Sequence, residues 1–510
     1  MAFKSTDYLL DDHPRTLFPL DLTRIVVEHG APRLFQYIAE DIKPSEKKGK
    51  TFAPQLRCFS AKHGLHLRRT LKLDPVAELY IYDLVLPNRK FFKSDTRKTR
   101  RQYGYCFKGG KPISAMAGYR EFKHDLLHAE KAHEHGLRLD VATYFNSVYH
   151  HDVVNYFDNL GWNDDDTCGL NRFLGEINGT SSIDCLPQGL HPCKVLGASF
   201  LHIIDKSARL RSELVLRFLD DIHLFSDDEV KIGADFGHIQ HVLGEKGLSL
   251  NSEKTRIIAG AGHDLEKKID EIKAGLLKIR RYTIEVSGER GQRETQEIVE
   301  FDNLSDEHTD YLLELLRDPN LEEADAELVL TLLSEHGEEV LDRMASVWPK
   351  YPSLSKPIYN FVTQEFSDSM SVLAMADAFL NNAPNATEFQ LFWLIKVLQV
   401  AVARDERFGN TVMHIYAHPN ASVLVQAKVL EMADNGFGMA ELREEILKRG
   451  QSDWPSWAAA IGCRVQSKAS RNKLINNCGG VSPLNRVIAD IAMALDVAAP
   501  EKPKMMALPF

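Results

Sequence analysis

Two neighbouring carboxylates between apolar runs, and a third upstream, are the residues of this chain best placed to do chemistry. Asp220 and Asp221 lie in Arg217-Phe218-Leu219-Asp220-Asp221-Ile222-His223-Leu224-Phe225. Asp140 lies 80 residues earlier, in Leu137-Arg138-Leu139-Asp140-Val141-Ala142-Thr143-Tyr144-Phe145. Adjacent carboxylates repel each other and resist removal from water unless a cation neutralises them. A hairpin built only for structure favours Asn-Gly or Asp-Gly at its turn, and Asp-Asp is a poor pair there. Hard cations take oxygen ligands, so carboxylates gathered in this way point to metal-dependent chemistry.

The surrounding pattern shows what must hold them. Leu214, Leu216 and Phe218 fall on one face of an alternating strand, and Ile222 and Leu224 continue the alternation past the turn. Asp140 ends another short strand, followed by an amphipathic helix over 147–160 that Gly161 closes. Next come a turn, Ile183-Asp184-Cys185-Leu186-Pro187-Gln188-Gly189, and an apolar helix through Val195, Leu196, Phe200, Ile203 and Ile204. Another helix near 236–245 and a strand over 249–258 follow the hairpin. Strand, helix, helix, hairpin, helix, strand is close to the split βαβ order of ferredoxin-like sheets, which brings Asp140 beside Asp220.

These segments resemble the palm of a reverse transcriptase. Asp140 with Phe145 matches the first metal-binding motif, Leu186-Pro187-Gln188-Gly189 the LPQG motif, and Phe218-Leu219-Asp220-Asp221 the Tyr-x-Asp-Asp box. Lys254, before Thr255, matches the lysine motif that follows. The resemblance implies nucleotidyl transfer from dNTPs to a hydroxyl, served by two Mg²⁺ ions about 4 Å apart, with Mn²⁺ as an alternative. It implies Asp140, Asp220 and the Val141 carbonyl as metal ligands, and Asp221 as a supporting carboxylate. Lys254 would face the leaving pyrophosphate, Phe145 would exclude a 2′-hydroxyl, and Gln188 and Gly189 would line the base and template side. Three departures argue against ordinary copying of long RNA. His191-Pro192 stands where the family has Ser-Pro, Phe218 replaces the Tyr, and no primer-grip hairpin or conventional thumb is evident after Ile258.

Charge refines the reading. The 510 residues carry a net charge of −10, yet 301–350 hold 14 acidic against three basic residues, which leaves the rest of the chain at +1. Seven basic residues fall within 89–101 against Asp95 alone, flanked by Phe91, Phe92, Tyr103 and Tyr105. That composition suits phosphate contact with base stacking. Its place matches the fingers of reverse transcriptases, which favours Arg97, Arg100 and Arg101 for the triphosphate. Seven cysteines without Cys-x-x-Cys spacing argue against a zinc ribbon and a disulfide framework. The first 14 residues are polar and no apolar run approaches 18 residues, so the expected location is the cytoplasm, with no membrane partner.

From residue 306 onward the pattern is helical, with amphipathic segments over 311–316, 326–336, 339–347, 354–366, 370–380, 388–402, 407–417, 423–433 and 439–449, separated by Pro/Asn breaks. This suggests an α-solenoid of HEAT-like character. The expected fold is an α+β reverse transcriptase fingers and palm followed by an all-α helical-repeat domain. The divisions are 1–135 for the N-terminal region and fingers, 136–300 for the palm and connector, and 301–510 for the helical domain replacing the thumb. In layout it resembles the antiviral, abortive-infection group of bacterial reverse transcriptases. That group implies untemplated or protein-primed synthesis, a DNA product, a non-coding or template RNA, and a homo-oligomer. A conventional RNA-templated enzyme of retron or intron type, and a catalytically idle nucleic-acid scaffold, stay open beside it. His124 and His128 have zinc-helix spacing but lack the usual Glu, and Lys108-Gly109-Gly110-Lys111 is a glycine turn rather than a phosphate loop.

Overall fold

The computed structural model describes residues 3–43, 51–62, 65–93, 98–179, 185–257, 280–287, 293–300, 312–314, 329–330, 333, 337–365, 369–402, 406–434 and 436–497. Arg97, Ile183, Asp184 and most of the acidic block at 301–350 lie outside them, as does most of the helix expected over 326–336.

The chain begins with α1 (Ser5–Asp12) and α2 (Asp21–Tyr37), then a hairpin of β1 (Leu56–Ala61) and β2 (Leu67–Lys72). α3 (Pro75–Val85) starts at Asp74, whose carboxylate accepts the Val76 and Ala77 N–H groups at 2.9 Å, with Pro75 at the first helical position. β3 (Arg100–Tyr103), the short pair β4 (Phe107–Lys108) and β5 (Lys111–Pro112), and α4 (Ala115–Ala132) complete this part.

The region that holds the aspartates runs through β6 (His135–Asp140), α5 (Tyr144–Ser147), α6 (His150–Asn159), α7 (Asp164–Ile177), α8 (His191–Phe200) and α9 (His202–Asp205). It closes with β7 (Leu214–Phe218), β8 (Asp221–Ser226), α10 (Glu229–Gly244) and β9 (Arg256–Ile257). The five-stranded sheet has the order β3-β7-β8-β6-β9. Its last four strands follow the split order expected from sequence; β3 is an addition, lying parallel to β7 at the open edge. The sheet is covered on both faces. Leu216 and Phe225 pack with Tyr103, Phe122 and Leu126 under α4, whereas Val215, Ile222, Leu224, Leu137 and Leu139 belong to the main core.

Local detail departs from expectation in three places. The helix after Asp140 breaks at Val148 and Tyr149 into α5 and α6, with Gly161 closing it at a φ of +91°. The strand expected over 249–258 is a Val141–Leu250 bridge, a turn, and then β9. The segment over 279–300, charged and strand-like in sequence, does form strands, but they pair as a hairpin, β10 (Arg280–Ser287) with β11 (Arg293–Glu300), where no primer-grip hairpin had been evident.

The remainder is helical: α11 (Gly337–Val347), α12 (Ser355–Glu365), α13 (Ser369–Asn382), α14 (Glu388–Ala401), α15 (Glu406–Tyr416), α16 (Val423–Leu430), α17 (Met439–Lys448), α18 (Trp454–Gly462), α19 (Lys468–Gly479) and α20 (Pro483–Ala494). Most of these helices pack on the helix two places further along, which lays them out in rows. Among the described residues the stack packs on the N-terminal part. α18 and α20 pack on α2, and α14 packs on β1, where the Glu388 carboxylate accepts the Phe59 N–H. A buried ionic cluster fastens the two parts. Lys428 lies 2.7 Å from both Asp21 and Glu431, and Glu431 accepts the Asp21 and Leu22 N–H groups at 2.9 and 2.7 Å.

Candidate active site

Sheet register gathers the aspartates. β6 and β8 are antiparallel, and Asp140 stands opposite Asp221. The β7–β8 hairpin turns at Leu219 and Asp220, with Leu219 at a φ of +56°, the left-handed region that a leucine rarely adopts. The Val141 N–H donates to the Asp220 carbonyl at 3.4 Å, which ties the end of β6 to that turn. From the other side, the Asn251 N–H donates to the Asp140 carbonyl at 2.8 Å, and the Lys254 ammonium lies 3.2 Å from the Asp140 carboxylate. Four residues spread over 114 positions of sequence thus meet at one end of the sheet.

The three carboxylates differ in environment. Burial and then the charge of Asp140 push the Asp220 carboxyl up to about 6, while Arg68 on β2 pulls the other way. Asp221 faces different groups. Arg138 Nε and Nη2 donate to its two oxygens at 3.1 and 3.3 Å, and His223 Nε2 lies 3.1 Å from Oδ1. Although burial raises it, the hydrogen bond to His223 and the charges of His223 and Arg138 bring the Asp221 carboxyl below its ordinary value. Register explains the grouping: Arg138 stands opposite His223, two pairs along from Asp140 and Asp221 and so on the same face.

This donor set fits a hard divalent cation. The charge of Asp140 adds to the cost of ionising Asp220, a repulsion that a shared cation relieves, and both side chains offer only oxygen. The fit is to two carboxylates rather than three, because Asp221 is already paired. Among the described residues no group of three or more His, Cys, Asp and Glu side chains could hold a metal. His124 and His128 meet edge-on on the exposed face of α4 with their Nε2 atoms 3.2 Å apart.

The other expected site residues divide. Phe145 is buried on α5, edge-on to Tyr144 at 5.3 Å, and its carbonyl accepts the Leu186 N–H at 2.8 Å, so the LPQG turn is pinned to α5. Gln188 exchanges backbone hydrogen bonds with the Thr70 hydroxyl on β2 at 3.0 and 3.1 Å. Its side-chain Oε1 is buried with no hydrogen-bond partner among the described residues. Gly189 has a φ of +93°, and a Cβ there would lie 2.7 Å from Leu17, so the turn requires glycine.

The structure does not bring Arg100 and Arg101 to the aspartates. Arg100 pairs with Val215 in the sheet, at the far end of β7 from the turn, and donates to the Ser212 and Leu210 carbonyls at 3.0 and 3.1 Å. Arg101 is held by Asp125 at 2.5 Å. Arg97 lies outside the described residues. Sequence reasoning missed Arg68, Arg138 and His223. Arg68 lay outside the basic run, but Arg138 and His223 were legible in principle, since each is two residues from an aspartate along a strand and so shares its face.

Phe218 closes the site from the side. Its ring lies 5.2 to 5.8 Å from those of Tyr119, Tyr105 and Phe122, an aromatic cluster that needs no hydroxyl on Phe218.

Comparison with known proteins bears on this arrangement. Residues 93–299 match the family described as reverse transcriptase (RNA-dependent DNA polymerase). No protein of curated function matches the chain. Among solved structures, a telomerase from Candida albicans in complex with a fragment of telomeric RNA is similar at 9% identity and a TM-score of 0.25, over 76% of this chain and 64% of that one. The chain thus spans less than two thirds of that telomerase chain.

Proposed function

Taking the reverse transcriptase domain at residues 93–299 as premise, we propose that this chain is a metal-dependent DNA polymerase that transfers nucleotides from dNTPs to a hydroxyl. The observation that carries the reading is the Asp140–Asp220 pair: burial, and then the charge of Asp140, leave Asp220 with a pKa of about 6, a cost that a shared cation would relieve. Bound there, Mg²⁺ would activate the attacking hydroxyl and neutralise charge on the triphosphate. Asp140, Asp220 and the Val141 carbonyl hold that site. Asp221, fixed by Arg138 and His223, is an anion beside it rather than a ligand. Lys254 stands beside Asp140, where it meets the leaving pyrophosphate. Arg68, whose charge reaches Asp220, takes the triphosphate role first given to the 89–101 arginines. Gln188, with an unused buried acceptor, lines the base side, and Phe145 supports the sugar.

The wider reading is anti-phage defence by synthesis that needs no conventional template or uses a protein hydroxyl as primer. Its support is the layout, a polymerase half followed by a long helical stack that docks on the fingers side. We read that stack as a HEAT-like solenoid and the functional unit as a homo-oligomer working with a partner RNA. Purified protein supplied with single labelled dNTPs, with and without RNA, tests the chemistry. Incorporation without RNA supports the untemplated reading, and incorporation only on RNA turns it to the conventional one. Phage plating on cells carrying the wild type or Asp220→Asn tests the defence role, which equal plating on both would sink.

A further inference from the structure

Arg217 stands one residue from the end of β7, yet none of its side chain is exposed. A buried guanidinium is costly unless its donors are used. Nε donates to both Asp205 oxygens at 3.0 Å, and Nη2 donates to Asp205 and, at 3.0 Å, to the Ala198 carbonyl. Nη1 donates to the Leu219 carbonyl at 2.8 Å. One side chain therefore joins α8, α9 and the hairpin turn.

The bond to Leu219 bears on the site. Its carbonyl belongs to the peptide that leads into Asp220, and a peptide is planar, so a donor fixed on that oxygen fixes the plane from which Asp220 leaves the turn. Leu219 also holds a φ of +56°, which costs a leucine about 1 kcal/mol and needs something to hold it. Arg217 grips the turn before Asp220 and the Val141 N–H grips it after. For stability alone such a pair would achieve little, since apolar residues of similar volume often replace buried ion pairs without loss.

We propose that Arg217 is a positioning residue: it holds the Leu219–Asp220 peptide so that the Asp220 carboxylate faces Asp140, with Asp205 as the counter-ion that keeps the guanidinium buried. The inference rests on the reading of Asp140 and Asp220 as metal ligands. Arg217 touches neither metal nor nucleotide and acts through the turn.

The test uses the full chain as wild type, Asp220→Asn, Arg217→Met, Asp205→Asn, Leu219→Gly and the double variant Arg217→Met/Leu219→Gly. Mn²⁺ binding is read by electron paramagnetic resonance, and nucleotide incorporation is followed against Mg²⁺ concentration. Arg217→Met is expected to weaken Mn²⁺ binding and raise the half-saturating Mg²⁺ by about tenfold or more, as loss of an outer partner does at metal sites. The KM for dNTP should stay within about threefold, because substrate contacts are untouched. Glycine carries no penalty at positive φ, so Leu219→Gly should bind Mn²⁺ like the wild type and restore most of the affinity in the double variant. Asp205→Asn keeps the Leu219 bond and should do less than Arg217→Met. A purely structural Arg217 would lower the melting temperature with Mn²⁺ affinity unchanged and no rescue by glycine, and that result overturns the proposal. Should Arg217→Met fail to fold, Arg217→Lys decides. A single ammonium cannot span Asp205 and the Leu219 carbonyl as the guanidinium fork does, so wild-type Mn²⁺ affinity in that variant overturns the proposal and weakened affinity supports it. Wild type that binds Mn²⁺ but incorporates no nucleotide defeats the polymerase reading while the Mn²⁺ series still judges Arg217. Binding that Asp220→Asn leaves intact overturns both.

Discussion

Asp220 concentrates the electrostatic argument at the residue scale. Its carboxyl is raised from 3.8 to about 6, so the folded, metal-free protein holds the proton more tightly than the unfolded chain does. The stability this group contributes is complete below pH 3.8 and is lost as pH rises through about 6. Asp220→Asn should therefore stabilise the protein at pH 7.5 in EDTA, by about 1–2 kcal/mol once part-exposure is discounted. The same variant should abolish any rise in melting temperature on adding Mg²⁺, and in the wild type that rise should shrink below pH 6, where protons compete for Asp220. Calorimetry across pH with and without Mg²⁺ checks both, and an Asn variant less stable than wild type in EDTA would refute the assigned repulsion. The aspartates themselves were legible in the sequence because a double carboxylate in an apolar hairpin is costly. The clamp on Asp221 was not, because it depends on which strand lies beside β8.

Strand order decides the matter at the element scale. The periodicity of β6, β7 and β8 and the apolar spacing of the helices between them were enough to read the split sheet, since each signal is local. β3 was not readable as part of it, because its partner β7 is more than 100 residues away and parallel pairing leaves no turn signature. That pairing moves Arg100 and Arg101 away from the aspartates, while the β1–β2 hairpin brings Arg68 toward them. Arg68→Ala should then raise the KM for dNTP by about tenfold, the cost of one charge-assisted contact, whereas Arg100→Ala should leave it within about twofold. Steady-state incorporation kinetics separate them, and the reverse order of effects would return the triphosphate to the 89–101 segment. α7 was also missed, although Asn163 caps it by accepting the Asp166 N–H at 2.8 Å and three acidic residues fill its first turn. That start signal was present in the sequence and went unused.

Helical periodicity and Pro/Asn breaks gave most of the helices from 337 to 448 to within a few residues, but not where the stack would dock. Its seat on α2 and β1 depends on the Asp21–Lys428–Glu431 cluster, in which Asp21 lies 407 and 410 residues from Lys428 and Glu431 in sequence. Lys428→Met would leave two carboxylates facing each other in the core, and should cost about 3–5 kcal/mol, read as a lower denaturation midpoint. An unchanged midpoint would mean that apolar contacts alone hold the halves together. The central claim, that the sheet end at Asp140 and Asp220 is a polymerase centre, is tested most directly by labelled dNTP incorporation in Mg²⁺. Wild-type protein should incorporate, EDTA should stop it, and Asp220→Asn should fold yet fall at least about a thousandfold, as loss of an electrostatic group central to transition-state stabilisation does. Incorporation by folded Asp220→Asn at the wild-type rate would contradict the account.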